Sequence, residues 1–483
     1  MTRRAIHLLA VLSLLLPVAV AQTERARQVD ELINAYHQLD QFHGSALVAE
    51  GGVVILKRGY GLANREFGIP NTPDTKFRLG SITKQFTAVL VLQLIEQGKL
   101  KLEGKISDYL PEYPKKTGER VTIHQLLNHT SGIPSYTGFP EMFTKHSRNP
   151  FTPLELTRLF WEKELEFEPG SRFAYNNSGY HLLGVLIEKV TGQPYEKVLQ
   201  ERILSPLGMK DTGYDHHDTI LPKRASGYRP VLDGYLNAAY LDMSIPFSAG
   251  ALYSTVEDLY LWDQALYTDK LLTPPSKERM FQPGLSNYGY AWFIDQATIP
   301  GSDQKVPRIA HGGGIYGFNT LLTRLPGQRH LIILLSNTPG RSRLADVNTG
   351  ITAILYGGKP QPPKRSIAQV LYQAIKDEGI QAAAARYRKL KAEQPEQFDF
   401  REPELNTLGY ALMNEANKIK EAIEIFKLNL EAYPKSSNVC DSLAEAYAKD
   451  GQKALAIQHY EKALELNPKN ANAAKRLEKL RQE

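Results

Sequence analysis

Two apolar runs, Ala46-Leu47-Val48-Ala49 and Val53-Val54-Ile55-Leu56, flank Gly51-Gly52 and predict a β-hairpin. Before them, residues 24–39 carry Val29, Leu32, Ile33 and Tyr36 on one stripe, the pattern of an amphipathic helix. After them, Phe77-Arg78-Leu79-Gly80 predicts a short extended segment. The nearly all-apolar stretch 85–97 predicts a buried helix opened at Ser81 and stopped by Gly98. Further helices are expected over 121–127, over 153–164, and from Ser178 through Val190 with Gly192 as the stop. Ser254-Thr255-Val256-Glu257 has the form of a capping box. The period then returns to two, predicting strands over 288–294, 306–310, 319–325 and 330–336, before a last helix over 343–356. Strands at both ends with helices between predict an antiparallel sheet that joins the two ends of the domain under a helical layer.

Gly357-Gly358-Lys359-Pro360-Gln361-Pro362-Pro363 opens a linker, and beyond it the pattern is wholly helical. Ala383, Ala422 and Ala456 are each followed four residues later by an aromatic residue: Tyr387, Phe426 and Tyr460. Each set runs on to a proline, Pro395, Pro434 and Pro468, and all three series are spaced by 39 and then 34 residues. Leu443, Tyr447, Gly451, Ala456, Tyr460, Ala463 and Pro468 resemble the tetratricopeptide pattern, so the tail is expected to hold three such repeats, the first irregular. That resemblance implies a protein partner for the tail. The expected division is a leader over 1–21, a first domain over 22–356, a linker over 357–366 and a repeat domain over 367–483.

The 483 residues are 42% hydrophobic and 23% charged, which gives enough apolar mass for more than one core. Arg3 and Arg4 precede the apolar stretch 5–18, and Ala19-Val20-Ala21 forms a small-x-small site. This predicts a secretory leader cut between Ala21 and Gln22, and a periplasmic or secreted protein without a membrane span. The net charge of +6 is mild, with no basic stripe, which argues against nucleic acid as a partner. Cys440 is the only cysteine, so the fold of an exported chain would rest on packing, not on disulfides.

The candidate chemistry centres on Ser81-Ile82-Thr83-Lys84. Residues three apart share a helix face, so the serine hydroxyl and the lysine amine can touch at a helix start, where orphan N–H groups favour negative charge. The string alone is weak, since Ser302-Asp303-Gln304-Lys305 repeats it in a polar loop. Tyr175-Asn176-Asn177 supplies a phenol to move a proton and an amide to orient Lys84 and hold a substrate carbonyl; Tyr235-Leu236-Asn237 is the rival copy. A strand edge is needed to complete an oxyanion hole. Lys116-Thr117-Gly118 sits in a polar turn, whereas His311-Gly312-Gly313-Gly314 ends the predicted strand over 306–310, where glycines let a substrate lie against the backbone. His216-His217 is expected to be a surface loop and not a metal site.

Phe77 to Lys84, Leu126-Leu127-Asn128-His129-Thr130-Ser131-Gly132-Ile133-Pro134, Pro169 to Tyr180 and His311 to Gly314, in this order, resemble the β-lactamase-related serine hydrolases. The resemblance implies the penicillin-binding fold, of α+β type, with an antiparallel sheet, a helical lobe and the site in the groove between them. It implies Ser81 as the acylated nucleophile, Lys84 as its activator, Tyr175 as general base or acid and Asn177 as a substrate ligand. It also puts His311 and Gly313 at the third motif, with the N–H groups of Ser81 and Gly314 as the oxyanion hole. Either Lys84 or Tyr175 takes the first proton. Neither a cofactor nor a metal is expected. The family has lysine where His311 stands, and a largely neutral histidine cannot anchor a carboxylate as lysine does, unless Arg341 or Arg343 replaces it. The sequence therefore points to an ester, amide or D-peptide substrate more than to penicillins. The alternative reading is a non-hydrolytic receptor for peptidoglycan or β-lactams whose repeats recruit a protein.

Overall fold

A computed structural model of the chain describes residues 22–482. The expected leader lies outside the described residues, as does Glu483. The chain divides into two compact units: one runs up to Arg229 and resumes over Leu236–Pro362, and the other comprises Pro230–Tyr235 and the chain from Pro363 onward.

The first unit is built on a six-stranded antiparallel sheet. Gly44–Glu50 lies between Val53–Tyr60 and His330–Ser336, and the sheet continues through Phe318–Leu325 and Lys305–Ile315 to Phe293–Thr298. The pairing of Gly44–Glu50 with His330–Ser336 closes the two ends of the region on each other. One face packs on the helices 22–38 and Leu344–Leu355, through Val29, Ile33, Val48 and Ile351. The other face buries the helix Thr83–Glu96 together with Asn177–Thr191 and Val256–Leu266. Phe86 stacks on Trp262 at 4.2 Å there, and the Trp262 indole N–H donates to Gln85 at 3.0 Å. Nearly every residue of Thr83–Glu96 is buried, so its lack of an amphipathic stripe reflects contact on all sides.

Several local expectations shift; the strand expected over 288–294, for one, forms over Phe293–Thr298. Ser81 lies in a 3-10 turn over Gly80–Ile82, and the α-helix proper starts at Thr83. The helix near 255 is capped by Thr255, whose side chain accepts from Asp258 N–H, while Ser254 ends a strand. The strand expected to end before His311 continues to Ile315, because Phe318–Leu325 pairs with it throughout, so His311 to Gly314 are ladder positions and not a terminal turn.

The second unit contains the helices Ile367–Glu378, Ile380–Glu393, Glu402–Asn414, Ile419–Ala432, Ser437–Lys449, Lys453–Leu466 and Ala471–Gln482. Ala383, Ala422 and Ala456, with their aromatic partners Tyr387, Phe426 and Tyr460, are all in its core, and Cys440 is buried beside them. Among the described residues no helix is long and apolar enough to cross a membrane.

Candidate active site

Gly80, at φ +56°, turns the chain sharply enough to bring Ser81 out of the strand and onto the start of the helix. One turn later Lys84 is fully buried. Its Nζ lies 3.0 Å from Ser81 Oγ, 2.8 Å from Asn177 Oδ1 and 2.8 Å from the carbonyl oxygen of Ala249. The Asn177 amide is oriented by its own Nδ2, which donates to Thr137 Oγ1 at 3.0 Å. Two of the three neighbours of Nζ can therefore only accept. A neutral amine gives its two N–H groups to those carbonyls and turns its lone pair to the Ser81 hydroxyl. Burial holds the Lys84 amine well below the usual lysine range, and among the described residues no carboxylate pairs with it to offset that.

Tyr175 lies beside this pair. Tyr175 is 37% exposed, yet desolvation raises its hydroxyl above the usual phenol value, with the Ser81 side chain partly opposing the rise. Lys84 Nζ stands 5.0 Å from the Tyr175 ring centroid. Behind the tyrosine is a wall of rings. His129, at φ +61°, sits with its ring 4.3 Å from Tyr175 and 4.8 Å from Tyr288, and its Nδ1 accepts the Asn176 N–H at 3.1 Å. That bond also aims the helix Asn177–Thr191, whose cap is the Asn176 side chain accepting from Gly179 N–H at 2.8 Å.

His311 does not reach the groove. It is 3% exposed; its Nδ1 is 2.6 Å from the Gly312 carbonyl, so it donates there, and Nε2 accepts from the Tyr288 hydroxyl at 3.0 Å. Burial, with the nearby Lys84, pushes the ring down to about 3, so it is neutral at working pH. Gly313 and Gly314 bring their strand against the Ser81 turn. A Cβ on Gly313 would stand 1.8 Å from the Leu79 carbonyl oxygen, and Thr320 Oγ1 donates to that oxygen at 2.8 Å. Gly314 is exposed at the groove, and its N–H lies close to the Gly80 α-carbon.

The groove over Ser81 and Asn177 encloses about 290 Å³. Its walls include Tyr136, Phe143, Leu241, Ile245 and Tyr316, and none of its lining residues is acidic or basic. Arg341 pairs with Asp40, and neither it nor Arg343 lines this groove. The rival strings lie elsewhere. Ser302 is exposed in a loop, Asn237 bonds Glu66, Lys116 pairs with Glu164 on the surface, and His216 pairs with Glu196. No group of three or more metal-ligating side chains occurs among the described residues. Thr137, Ala249 and Tyr288 are the residues that sequence reasoning missed. Ala249 acts through a main-chain oxygen, which leaves no signature, and Thr137 and Tyr288 belong to no motif.

His129, His181 and His311 are all held below the usual histidine value by burial, His181 at about 4 and His311 at about 3. As pH falls the unfolded chain takes up protons first, so stability is complete above about 6.5 and declines as pH drops toward those values. Each of His181 and His311 is expected to add about 1.4 kcal/mol of loss per pH unit in its window. Urea midpoints at about pH 7.5, 5.5 and 4.5 should fall in step, and an unchanged midpoint at the lowest pH would refute the burial of these rings.

A profile of the Beta-lactamase family matches residues 29–355, and a tetratricopeptide-repeat profile matches residues 437–470. PbpX of Bacillus subtilis (strain 168), penicillin-binding by name, is 32% identical over 335 residues, covering 69% of this chain and 80% of that protein. Among solved structures, a penicillin-binding protein from Bacillus halodurans is similar with a TM-score of 0.59 at 30% identity, covering 67% of this chain and 98% of its own. The D-amino acid amidase of Ochrobactrum anthropi SV3, in complex with L-phenylalanine amide, is similar with a TM-score of 0.58 at 26% identity, covering 69% and 98%.

Proposed function

The chain belongs to the Beta-lactamase family and is a serine hydrolase, and on that premise we propose that it works through an acyl-enzyme on Ser81 and prefers esters or amides lacking the free carboxylate of penicillins. The reading rests on one observation: the buried Lys84 amine has two obligate acceptors and one hydroxyl around it, that of Ser81. Lys84 takes the Ser81 proton as Oγ attacks the substrate carbonyl carbon. The N–H groups of Ser81 and Gly314 hold the oxygen that becomes negative. Tyr175 relays the proton from Lys84 to the leaving group, and the relay runs back when water attacks the acyl carbon. Asn177 orients Lys84 and offers its amide to the substrate. Gly313 lets the strand approach, and His311 supports Tyr175 from behind through Tyr288.

The substrate preference follows from charge. The groove has apolar walls and no cation, and His311 is a neutral buried ring where the family has lysine. A carboxylate entering it would lose water without finding a partner. The similarity to a D-amino acid amidase brings amides of apolar D-amino acids into the same class. We extend the reading to export through the leader over 1–21, and to a protein partner for the repeats.

A panel of p-nitrophenyl butyrate, D-phenylalanine amide and nitrocefin, run beside fluorophosphonate labelling by intact mass, tests this. The better of the two substrates without a carboxylate, p-nitrophenyl butyrate or D-phenylalanine amide, is expected to exceed nitrocefin in kcat/KM by about 10- to 100-fold, the cost of an unpaired carboxylate. Equal rates would overturn the charge argument. Labelling by a penicillin without release would favour the non-hydrolytic receptor instead.

A further inference from the structure

The first unit holds a second cavity, of about 480 Å³, larger than the groove over Ser81. Its walls include the rings of Phe151, Tyr195, Tyr214, Tyr240 and Phe247. The Tyr195 hydroxyl is bonded to Thr87 Oγ1 at 2.7 Å and that of Tyr214 donates to the Met243 carbonyl at 2.9 Å. With their polar ends used, these rings offer the cavity carbon and π-surface. Glu188, Glu196, Asp218 and Asp242 also line it, and no lysine or arginine does. His216 pairs with Glu196 at 2.6 Å, and His217 donates to the Leu241 carbonyl while stacking on Tyr240 at 4.2 Å. Among the described residues Glu188, Asp218 and Asp242 form no ion pair, and Glu188 and Asp242 accept only neutral donors, among them the Tyr195 N–H at 2.8 Å and the Ser244 N–H and hydroxyl.

The negative field is felt by the walls. Burial and the nearby Glu196 hold the Glu188 carboxyl above its ordinary value. The Tyr214 hydroxyl is pushed up by burial and then by Tyr195, Glu196 and Asp242. A neutral apolar guest would deepen the burial of these carboxylates without compensating them, and an anion would be repelled. A bare metal ion needs a shell of oxygen or nitrogen ligands, and no such group occurs among the described residues. A cation with an apolar, weakly hydrated surface satisfies both the rings and the charge.

We propose that this cavity is a binding site for a small organic ammonium, separate from the catalytic groove. The segment 240–250 is the wall between the two: Leu241, Ile245 and Pro246 face the groove, while Tyr240, Asp242 and Phe247 face the ammonium.

Calorimetric titration of the full chain with choline, and with its neutral carbon isostere 3,3-dimethylbutan-1-ol, tests the proposal. Choline is expected to bind at one site and the isostere at least about tenfold more weakly. Glu188→Gln with Asp242→Asn keeps the hydrogen-bond acceptors and removes the charge, and should weaken choline by at least about tenfold. Should that pair fail to fold, Tyr240→Ala, at an exposed ring, is expected to weaken binding as well. Tyr316→Ala in the groove should leave choline affinity unchanged. Absence of choline binding at about 10 mM, equal binding of the isostere, or a loss caused by Tyr316→Ala alone would each overturn the assignment.

Discussion

Ser81→Ala is expected to abolish labelling by a fluorophosphonate, and Lys84→Met to slow it by about 10³-fold while the protein stays folded. The two substitutions ask different questions. Alanine removes the oxygen that would be acylated. Methionine nearly conserves the volume of lysine in a wholly buried site and removes only the nitrogen. Its cost to stability should be modest, about 1–3 kcal/mol, since Asn177 Oδ1 and the Ala249 carbonyl lose their donor while the penalty of burying an amine disappears. Time courses by intact mass, with thermal melts as the fold control, give both numbers. If Lys84→Met labels at the wild-type rate, Lys84 is not the base, and Tyr175, beside the Ser81–Lys84 pair, takes that role.

Gly313→Ala should be nearly as damaging, for a steric reason. A methyl group there would lie 1.8 Å from the Leu79 carbonyl oxygen and 2.5 Å from Thr320 Oγ1, so the strand has to retreat from the turn that carries Ser81. Gly314 moves with it, and a displaced oxyanion donor costs about 10²- to 10³-fold in acylation rate. Overpacking of this kind should also lower stability by about 1–3 kcal/mol. Gly314→Ala is the control, since a Cβ there meets nothing within 4 Å. It should leave the melting temperature unchanged and affect only substrates that fill the groove. Wild-type labelling by Gly313→Ala would show that the close approach of the strand is not needed.

Much of the fold was legible because its signals are local. Gly51-Gly52 between two apolar runs announces a hairpin, and the helical pattern from Ser178 to the stop at Gly192 announces a helix; both are formed, the helix starting at Asn177 under a cap by Asn176 that the sequence reading did not name. Where the reading slipped, a distant partner decided. The strand through His311 was expected to end at Ala310 because glycines break local propensity, yet pairing with Phe318–Leu325 carries it to Ile315. The helix expected over 153–164 stops at Arg158, and neither its composition nor its cap at Thr152 foretells that.

The candidate site divides in the same way. Ser81, Lys84, Tyr175 and Asn177 could be singled out because each belongs to a short string in a fitting local context, and the three-residue spacing on a helix already lets Ser81 meet Lys84. The sequence by itself thus determined which residues could do chemistry, and that repeats follow them. Only the tertiary structure decided the state those residues are in. Lys84 is held below its ordinary value because packing from other helices buries it, and its Nζ is oriented by Asn177 Oδ1 and the Ala249 carbonyl, 93 and 165 residues away, which can only accept. His311, a plausible substrate ligand as a letter in a motif, is a neutral ring sealed behind Tyr288. Charge state and exposure depend on every group within a few ångströms, and neighbours that close in space are far apart along the chain.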